Sequence, residues 1–413
     1  MSLIINDSFQ PPHFIAFDKI ALLYVHAPTV GASTEVNYQA VKSGYTGIQQ
    51  FPAGFRGMPE PIMAGLISPR DLETLAAPYC GARTHMMSRY RQAMSAVFEL
   101  AISNTYPDGY RNEILTSRRV AFIFCTTKGD VDSFRELTAQ TTNPRLYPWH
   151  VPQRMMDELK LPGKPYVVMN SSLSGVQAQI VADRLLCKGS PYDFAVVIGV
   201  ELLSMFTISL LRDAGLVSKK FVRPFDIEGD GTNPGESAAC AIFISEDRFQ
   251  KDKKLFHHTP MIKFRKGVMM TDPCFPKSPN PQAGALSRAI KKVMEEEIVR
   301  NLSFINVIGV GLNSYDNMVS IGLEKAGLRR VPMNCFEGNF GHSSGSVSLL
   351  SSILSAQSLV NEEILPTLGY VNHGVKGRIR IQTTVSTSHK QSFLAISTGF
   401  GGVNGVMLYT KER

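Results

Sequence analysis

Closely spaced cysteine pairs are missing from this 413-residue chain. Its cysteines (Cys80, Cys125, Cys187, Cys240, Cys274 and Cys335) are scattered, with no CxxC among them. That scatter argues against a disulfide framework or a zinc site and predicts reduced, mostly buried thiols. The histidines lack ligand spacing as well. His257 and His258 adjoin, but neighbouring side chains point apart on a helix or a strand, and no carboxylate follows at helical spacing. No metal site is expected. Gly309-Val310-Gly311 has no third glycine and no downstream acidic partner, so it is not read as a nucleotide loop and no cofactor is expected.

Long apolar runs are missing too, since none reaches the ~18 residues that span a bilayer. Met1 to Gln10 lacks the basic start and apolar stretch of a secretory signal. The expectation is a cytoplasmic protein with no membrane partner. With 44% hydrophobic and 19% charged residues, the chain has the make-up of a globular core rather than a disordered segment. Acidic residues are the minority charge, 35 against 43 basic, for a formal charge of +8. The excess gathers at Lys219-Lys220-Arg223, Lys251 to Lys254, Lys263 to Lys266, Lys291-Lys292, Arg329-Arg330 and Lys376 to Arg380. Aromatics are not interleaved there as single-strand binding requires, so nucleic acid is not an expected partner. A solvated positive surface or a docking face for an acidic protein remains.

What is present is an alternation of strands and helices, the pattern of sheets covered by helices. Apolar runs predict strands at Lys19 to His26, Arg119 to Thr126, Tyr166 to Met169, Phe194 to Gly199, Phe304 to Gly309, Ile379 to Thr387 and Gly402 to Tyr409. Helical spacing predicts helices at Thr84 to Ser103, Gly175 to Leu186, Ala283 to Arg300 and Ser343 to Val360. The two halves share an element order that suggests an ancient duplication. The Lys- and Pro-rich stretch Phe249 to Pro281 between them reads as an irregular insertion, within one compact body.

Four motifs stand out, in order. Asn170-Ser171-Ser172-Leu173-Ser174-Gly175 sits at a strand-to-helix turn. Arg223-Pro224-Phe225-Asp226 is followed by Asp230-Gly231 and Gly235-Glu236-Ser237-Ala238-Ala239. Phe336 to His342 places an imidazole at a helix start, where unpaired amides and the helix dipole favour an anionic oxygen. Gly399-Phe400-Gly401-Gly402-Val403-Asn404 precedes the last strand, and its Gly401 and Gly402 allow close backbone approach to a substrate. Asp226 and Glu236 read as structural carboxylates that hold turns through bonds to amides.

Together these motifs resemble the β-ketoacyl synthases, thiolase-fold condensing enzymes of fatty-acid and polyketide synthesis. Val41-Lys42-Ser43-Gly44-Tyr45-Thr46-Gly47-Ile48 and Gly199-Val200-Glu201 are further matches, and the resemblance runs from about Lys19 to Tyr409. It implies an α/β, thiolase-like fold of two duplicated βαβαβαββ halves, residues 1–246 and 247–413, layered α-β-α-β-α in a single compact unit.

In the family, a cysteine at the strand-to-helix turn carries the acyl chain, and two histidines polarise a malonyl thioester. Here the cysteine position is Ser172 and the later histidine is His342. The first histidine position is Ile308, eight residues before Asp316, and the family's lysine position is Glu337. A serine hydroxyl needs an adjacent base that a thiol does not. Loss of a polarising donor lowers the rate roughly 100- to 1000-fold. The resemblance therefore implies a degenerate subunit, like the chain-length factors of type II polyketide and aryl-polyene systems. Such a subunit pairs with an active ketosynthase, works with acyl carrier protein, and is not an enzyme by itself. Met169 and Phe206 are the candidate tunnel-floor residues. The alternative is a serine-dependent acyltransferase or non-decarboxylating condensing enzyme. There Ser172 would carry the acyl group, His342 would act as base, and the amides of Ser172 and Phe400 would hold the oxyanion, with Phe400 also a candidate gate. Self-pairing as a homodimer is the other expected assembly.

Overall fold

The computed structural model of the chain describes residues 21–25, 30–31, 33–105, 108–131, 144–256, 261–294 and 299–412. The readings of Met1 to Gln10 and of His257 and His258 lie outside them. Most strands fall into two six-stranded sheets. The first runs, in space, Val30–Gly31, Ala21–Val25, Ser237–Ile244, Phe194–Glu201, Val120–Cys125, Tyr166–Val168. The second runs Arg380–Ile381, Pro332–Asn334, Leu302–Val307, Ser392–Thr398, Val403–Glu412, Met261–Thr271. Starting from Ala21–Val25 in one and Met261–Thr271 in the other, successive pairings are antiparallel, antiparallel, parallel, parallel in both. This repeat is the duplicated, thiolase-like architecture.

Three buried clusters mark the helical layers. The middle one joins both sheets to the helices Ser174–Leu185 and Ser344–Val360. The helix Arg89–Ser103 covers the outer face of the first sheet, and Gly284–Val293 with Asn313–Lys325 covers that of the second. Along Val120–Cys125, Ala121, Ile123 and Cys125 join the middle layer while Val120, Phe122 and Phe124 join the outer one. Successive side chains point to opposite faces, so a strand covered on both sides reads as one apolar run. The two central helices meet through glycine. A β-carbon at Gly175 would lie 2.5 Å from Ser348 Oγ and 3.0 Å from Leu349 N. This close crossing puts both helix starts, and hence the Ser172 and His342 turns, in the middle of the molecule.

Several elements differ from expectation. The helix expected from Thr84 starts at Arg89, because the Ser88 side chain accepts from Arg91 N and caps it, while Gly81–Met86 forms a separate 3₁₀ turn. The helix expected to reach Arg300 ends at Val293, since Met294 adopts extended backbone, and residues 295–298 of that reading lie outside the described ones. Phe249 to Pro281 is not an irregular insertion. It holds the end of a helix, Glu246–Asp252, and the eleven-residue strand Met261–Thr271. That strand closes the edge of the second sheet, and its Lys263, Arg265 and Lys266 give it the charged character of a protected edge. Ile379 to Thr387 supplies only the two-residue pieces Arg380–Ile381 and Ser386–Thr387, in different sheets. No helix among the described residues is long and apolar enough to cross a membrane.

Candidate active site

The Tyr166–Val168 strand ends in a turn whose Ser171 has a left-handed φ of +48°. A non-glycine residue takes that conformation at a cost of about 1 kcal/mol, so surrounding bonds must hold it. Ser174 supplies them: its Oγ accepts from Asn170 N at 2.8 Å and lies 2.7 Å from Ser171 O. The turn sets Ser172 just before the helix Ser174–Leu185. Ser172 is buried, and its Oγ has no hydrogen-bond partner. No base is therefore bonded to the hydroxyl.

The second central helix repeats the arrangement with different chemistry. His342 is pinned through its backbone: His342 N donates to Asn233 O at 2.8 Å, and Gly235 N donates to His342 O at 3.0 Å. The turn before it is clasped by the early glycine segment, where Gly47 N donates to Asn339 O and Thr46 Oγ1 to Gly338 O. The imidazole is fully enclosed, and its Nδ1 has no partner. Burial lowers its pKa to about 4, so it is neutral at pH 7 and holds a proton weakly.

Phe400 links the two. Its turn is closed by Gly399 N to Val403 O at 2.8 Å and Gly402 N to Gly399 O at 3.0 Å, neither of which uses the Phe400 amide. The Phe400 ring meets His342 at 5.9 Å and Tyr315 at 5.2 Å between centroids, both edge-to-face. A β-carbon at Gly399 would sit 3.3 Å from Ser172 Oγ. Motifs separated by well over a hundred residues thus meet at one turn. Gly402, at φ +90°, packs against the Asp272 carbonyl so tightly that a β-carbon would fall 1.7 Å from its oxygen. Gly401 faces open space.

Ile308 is buried, and its amide is bonded to Ile396 O at 2.9 Å. Beyond it lies an acidic interior. Asp316 accepts from Phe225 N at 2.7 Å, and burial raises its pKa to about 7. Glu337 accepts from Cys335 Sγ at 2.8 Å, and burial raises its pKa to about 8. Asp226 and Glu236 do hold turns. Asp226 accepts from the amides of Glu228, Val371 and Asn372, and Glu236 from those of Ile67 and Leu203. Met169 and Phe206 are half-exposed on the surface.

Ser172 Oγ, His342 Nδ1, Tyr315 Oη, Thr398 Oγ1 and Asn404 Oδ1 are all buried without a partner, and all belong to this turn or its neighbours. Such orphans concentrate where polar ligand atoms or ordered water are held. Clefts of about 360 Å³ beside Cys187 and Phe243 and about 270 Å³ beside Arg91 and His150 contain none of these residues. The cluster of orphaned polar atoms is the stronger marker of function, because surface clefts of that openness are common. Sequence reading missed Tyr315 and Cys335, for which neither spacing nor motif gave a signal. Among the described residues, no group of histidine, cysteine and carboxylate side chains is placed to hold a metal ion.

No family model matches the sequence, and no curated protein is similar to it. Solved structures are similar in fold. A β-ketoacyl synthase from Burkholderia phymatum STM815 superposes with a TM-score of 0.81 at 17% identity, covering 96% of this chain and 100% of that one. A type II polyketide synthase acyl-carrier protein in complex with its ketosynthase gives 0.74 at 13%, covering 97% and 99%. A ketosynthase in complex with its chain length factor, from Xenorhabdus doucetiae, gives 0.72 at 17%, covering 95% and 96%. The chain has the ketosynthase fold over nearly its whole length.

Proposed function

We propose that this chain is a non-condensing ketosynthase-fold subunit of a polyketide- or fatty-acid-type system, acting as a chain-length factor. It pairs with an active ketosynthase, closes the far end of the acyl tunnel, and meets acyl carrier protein as part of that pair. The observation that carries the reading is the unpartnered Ser172 Oγ. A hydroxyl at a helix start does not ionise at neutral pH without a base bonded to it, and here none is. Ile308 removes the first polarising imidazole, and the remaining one, His342, is a weak base. Glu337 stands at the family's lysine position, and burial with Asp316 nearby keeps it largely protonated at neutral pH, so it offers no positive charge to a malonate that must enter as an anion.

The surface supports a partner. Tyr166 and Met169 lie at the edge of the first sheet, and Met205, Phe206 and Leu210 are exposed on the helix Met205–Asp213. Large apolar side chains so grouped are those a partner subunit covers. A second reading, serine-dependent acyl transfer through Ser172 and His342, draws support from the strained Ser171, which presents residue 172 at a helix N-terminus.

The test mixes the purified chain with an intact ketosynthase and acyl carrier protein, and measures native mass and product length. A one-to-one pair is expected, with a product length that changes in Phe206→Ala or Met169→Ala and not in Ser172→Ala. Loss of product in Ser172→Ala would instead favour the serine enzyme.

A further inference from the structure

The segment after the Met261–Thr271 strand brings a thiol to the Phe400 turn. Asp272 N donates to Gly402 O at 2.9 Å, Asp272 Oδ2 accepts from Ala285 N at 2.6 Å, and Ser314 Oγ donates to Lys277 O at 3.1 Å. Clamped at both ends, the segment sets Cys274 against the turn, where a β-carbon at Gly402 would lie 3.0 Å from its Sγ. Cys274 is partly exposed, whereas Cys125, Cys240 and Cys335 are buried. Tyr315 provides an independent sign of a ligand. It is 1% exposed, and its hydroxyl lies against Cys274 and the Gly401 backbone without completing a hydrogen bond. Burial raises its pKa well above the phenol's ordinary value, so it keeps its proton and remains a donor. The space beside Gly401 is open. A nucleophilic atom, an unused buried donor and room for a substrate therefore meet at one place.

We propose that Cys274 is an acyl-accepting thiol, taking acyl groups from thioesters by exchange while the Tyr315 hydroxyl donates to the carbonyl oxygen. Cys274 Sγ attacks the thioester carbonyl carbon and forms the new carbon–sulfur bond. The bond to the donor thiol breaks, and the leaving sulfur takes up the proton that Cys274 releases. One thioester replaces another, so no oxidant or reductant is needed. The inference rests on the proposed function, in which the chain meets acyl carrier protein and so its acyl thioesters.

Incubation of the full chain with butyryl-N-acetylcysteamine, followed by intact mass and peptide mapping, tests it. One butyryl adduct is expected on the Cys274 peptide. It is absent in Cys274→Ala, unchanged in Cys187→Ala, and formed roughly 100-fold more slowly in Tyr315→Phe, as for loss of one oxyanion donor. An adduct on Cys187 alone, no adduct while iodoacetamide labels Cys274, or an undiminished rate in Tyr315→Phe overturns the proposal. Cys274→Ala also separates the two claims. If it still sets product length beside a ketosynthase while the wild type forms no adduct, the thiol proposal fails and the subunit function stands. An adduct without any control of product length is the converse.

Discussion

Glu236 and Glu337 are equally enclosed glutamates, one in each half of the duplicated fold, and their surroundings push them to opposite charge states. Glu236 is 0% exposed and takes hydrogen bonds from Arg89 at 2.7 Å and Arg56 at 3.1 Å besides two amides. Burial works against its charge, but Arg89 and Arg56 outweigh it and hold the carboxyl below its ordinary range. Glu337 is 1% exposed and takes the Cys335 thiol on one oxygen, with the backbone of Glu337 and Gly309 close by and no ion pair among the described residues. Burial, with Asp316 nearby, pushes its pKa to about 8. The difference teaches that enclosure alone fixes neither charge nor role. A paired carboxylate locks the loops around the first sheet, and an unpaired one sits largely uncharged in the candidate site and offers an incoming anion no counter-charge.

The comparison is broken most sharply at Glu236. Glu236→Ala strands two guanidinium groups and is expected to lower unfolding stability by about 3 kcal/mol. A loss under about 1 kcal/mol in urea titration would mean that the arginines are already solvated. Glu337→Gln is the opposite case, near-neutral at pH 6.

pH sharpens the contrast further. Glu337 titrates near 4.5 unfolded and about 8 folded, so between those values the folded chain alone binds the proton and stability falls as pH rises. Asp316 acts the same way up to about 7. His342, lowered to about 4, works in the other direction between about 4 and 6.5, where stability rises with pH. Above pH 6.5 the histidine no longer contributes. Wild-type stability should therefore drop between pH 6.5 and 8 by up to about 1.4 kcal/mol per pH unit from Glu337, and level off beyond. Glu337→Gln should flatten that slope between pH 7 and 8 in urea titrations. An unchanged slope would show that Glu337 is charged at neutral pH. Cys335 has a smaller part than Glu236. Cys335→Ala removes the thiol donor to Glu337 and is expected to cost about 1 kcal/mol, with the fall in stability displaced to higher pH; Cys335→Ser restores both.

Much of the fold was legible because doubly covered strands read as continuous apolar runs. Val120–Cys125 and Phe194–Glu201 are of this kind. Others escaped notice, the buried strand Ser392–Thr398 among them. Ser237–Ile244 opens on small residues that resemble a turn motif, and Met261–Thr271 alternates apolar with basic residues at a sheet edge. The site was legible through its glycine-framed turns, which fixed Ser172, His342 and Phe400. Tyr315 and Cys274 were not, because their meeting depends on the path of the segment after Met261–Thr271, which no local spacing encodes. The acidity of Glu337 was visible as a residue type, whereas its neutral state follows only from the missing cation around it.

The central claim is that this chain does not form carbon–carbon bonds on its own. Malonyl- and acyl-carrier protein incubated with the purified chain, with products separated by mass, test it most directly. The account predicts no β-ketoacyl product and no malonyl decarboxylation above the protein-free control, with wild type and Ser172→Ala alike. A β-ketoacyl product from the chain alone that disappears in Ser172→Ala would contradict it.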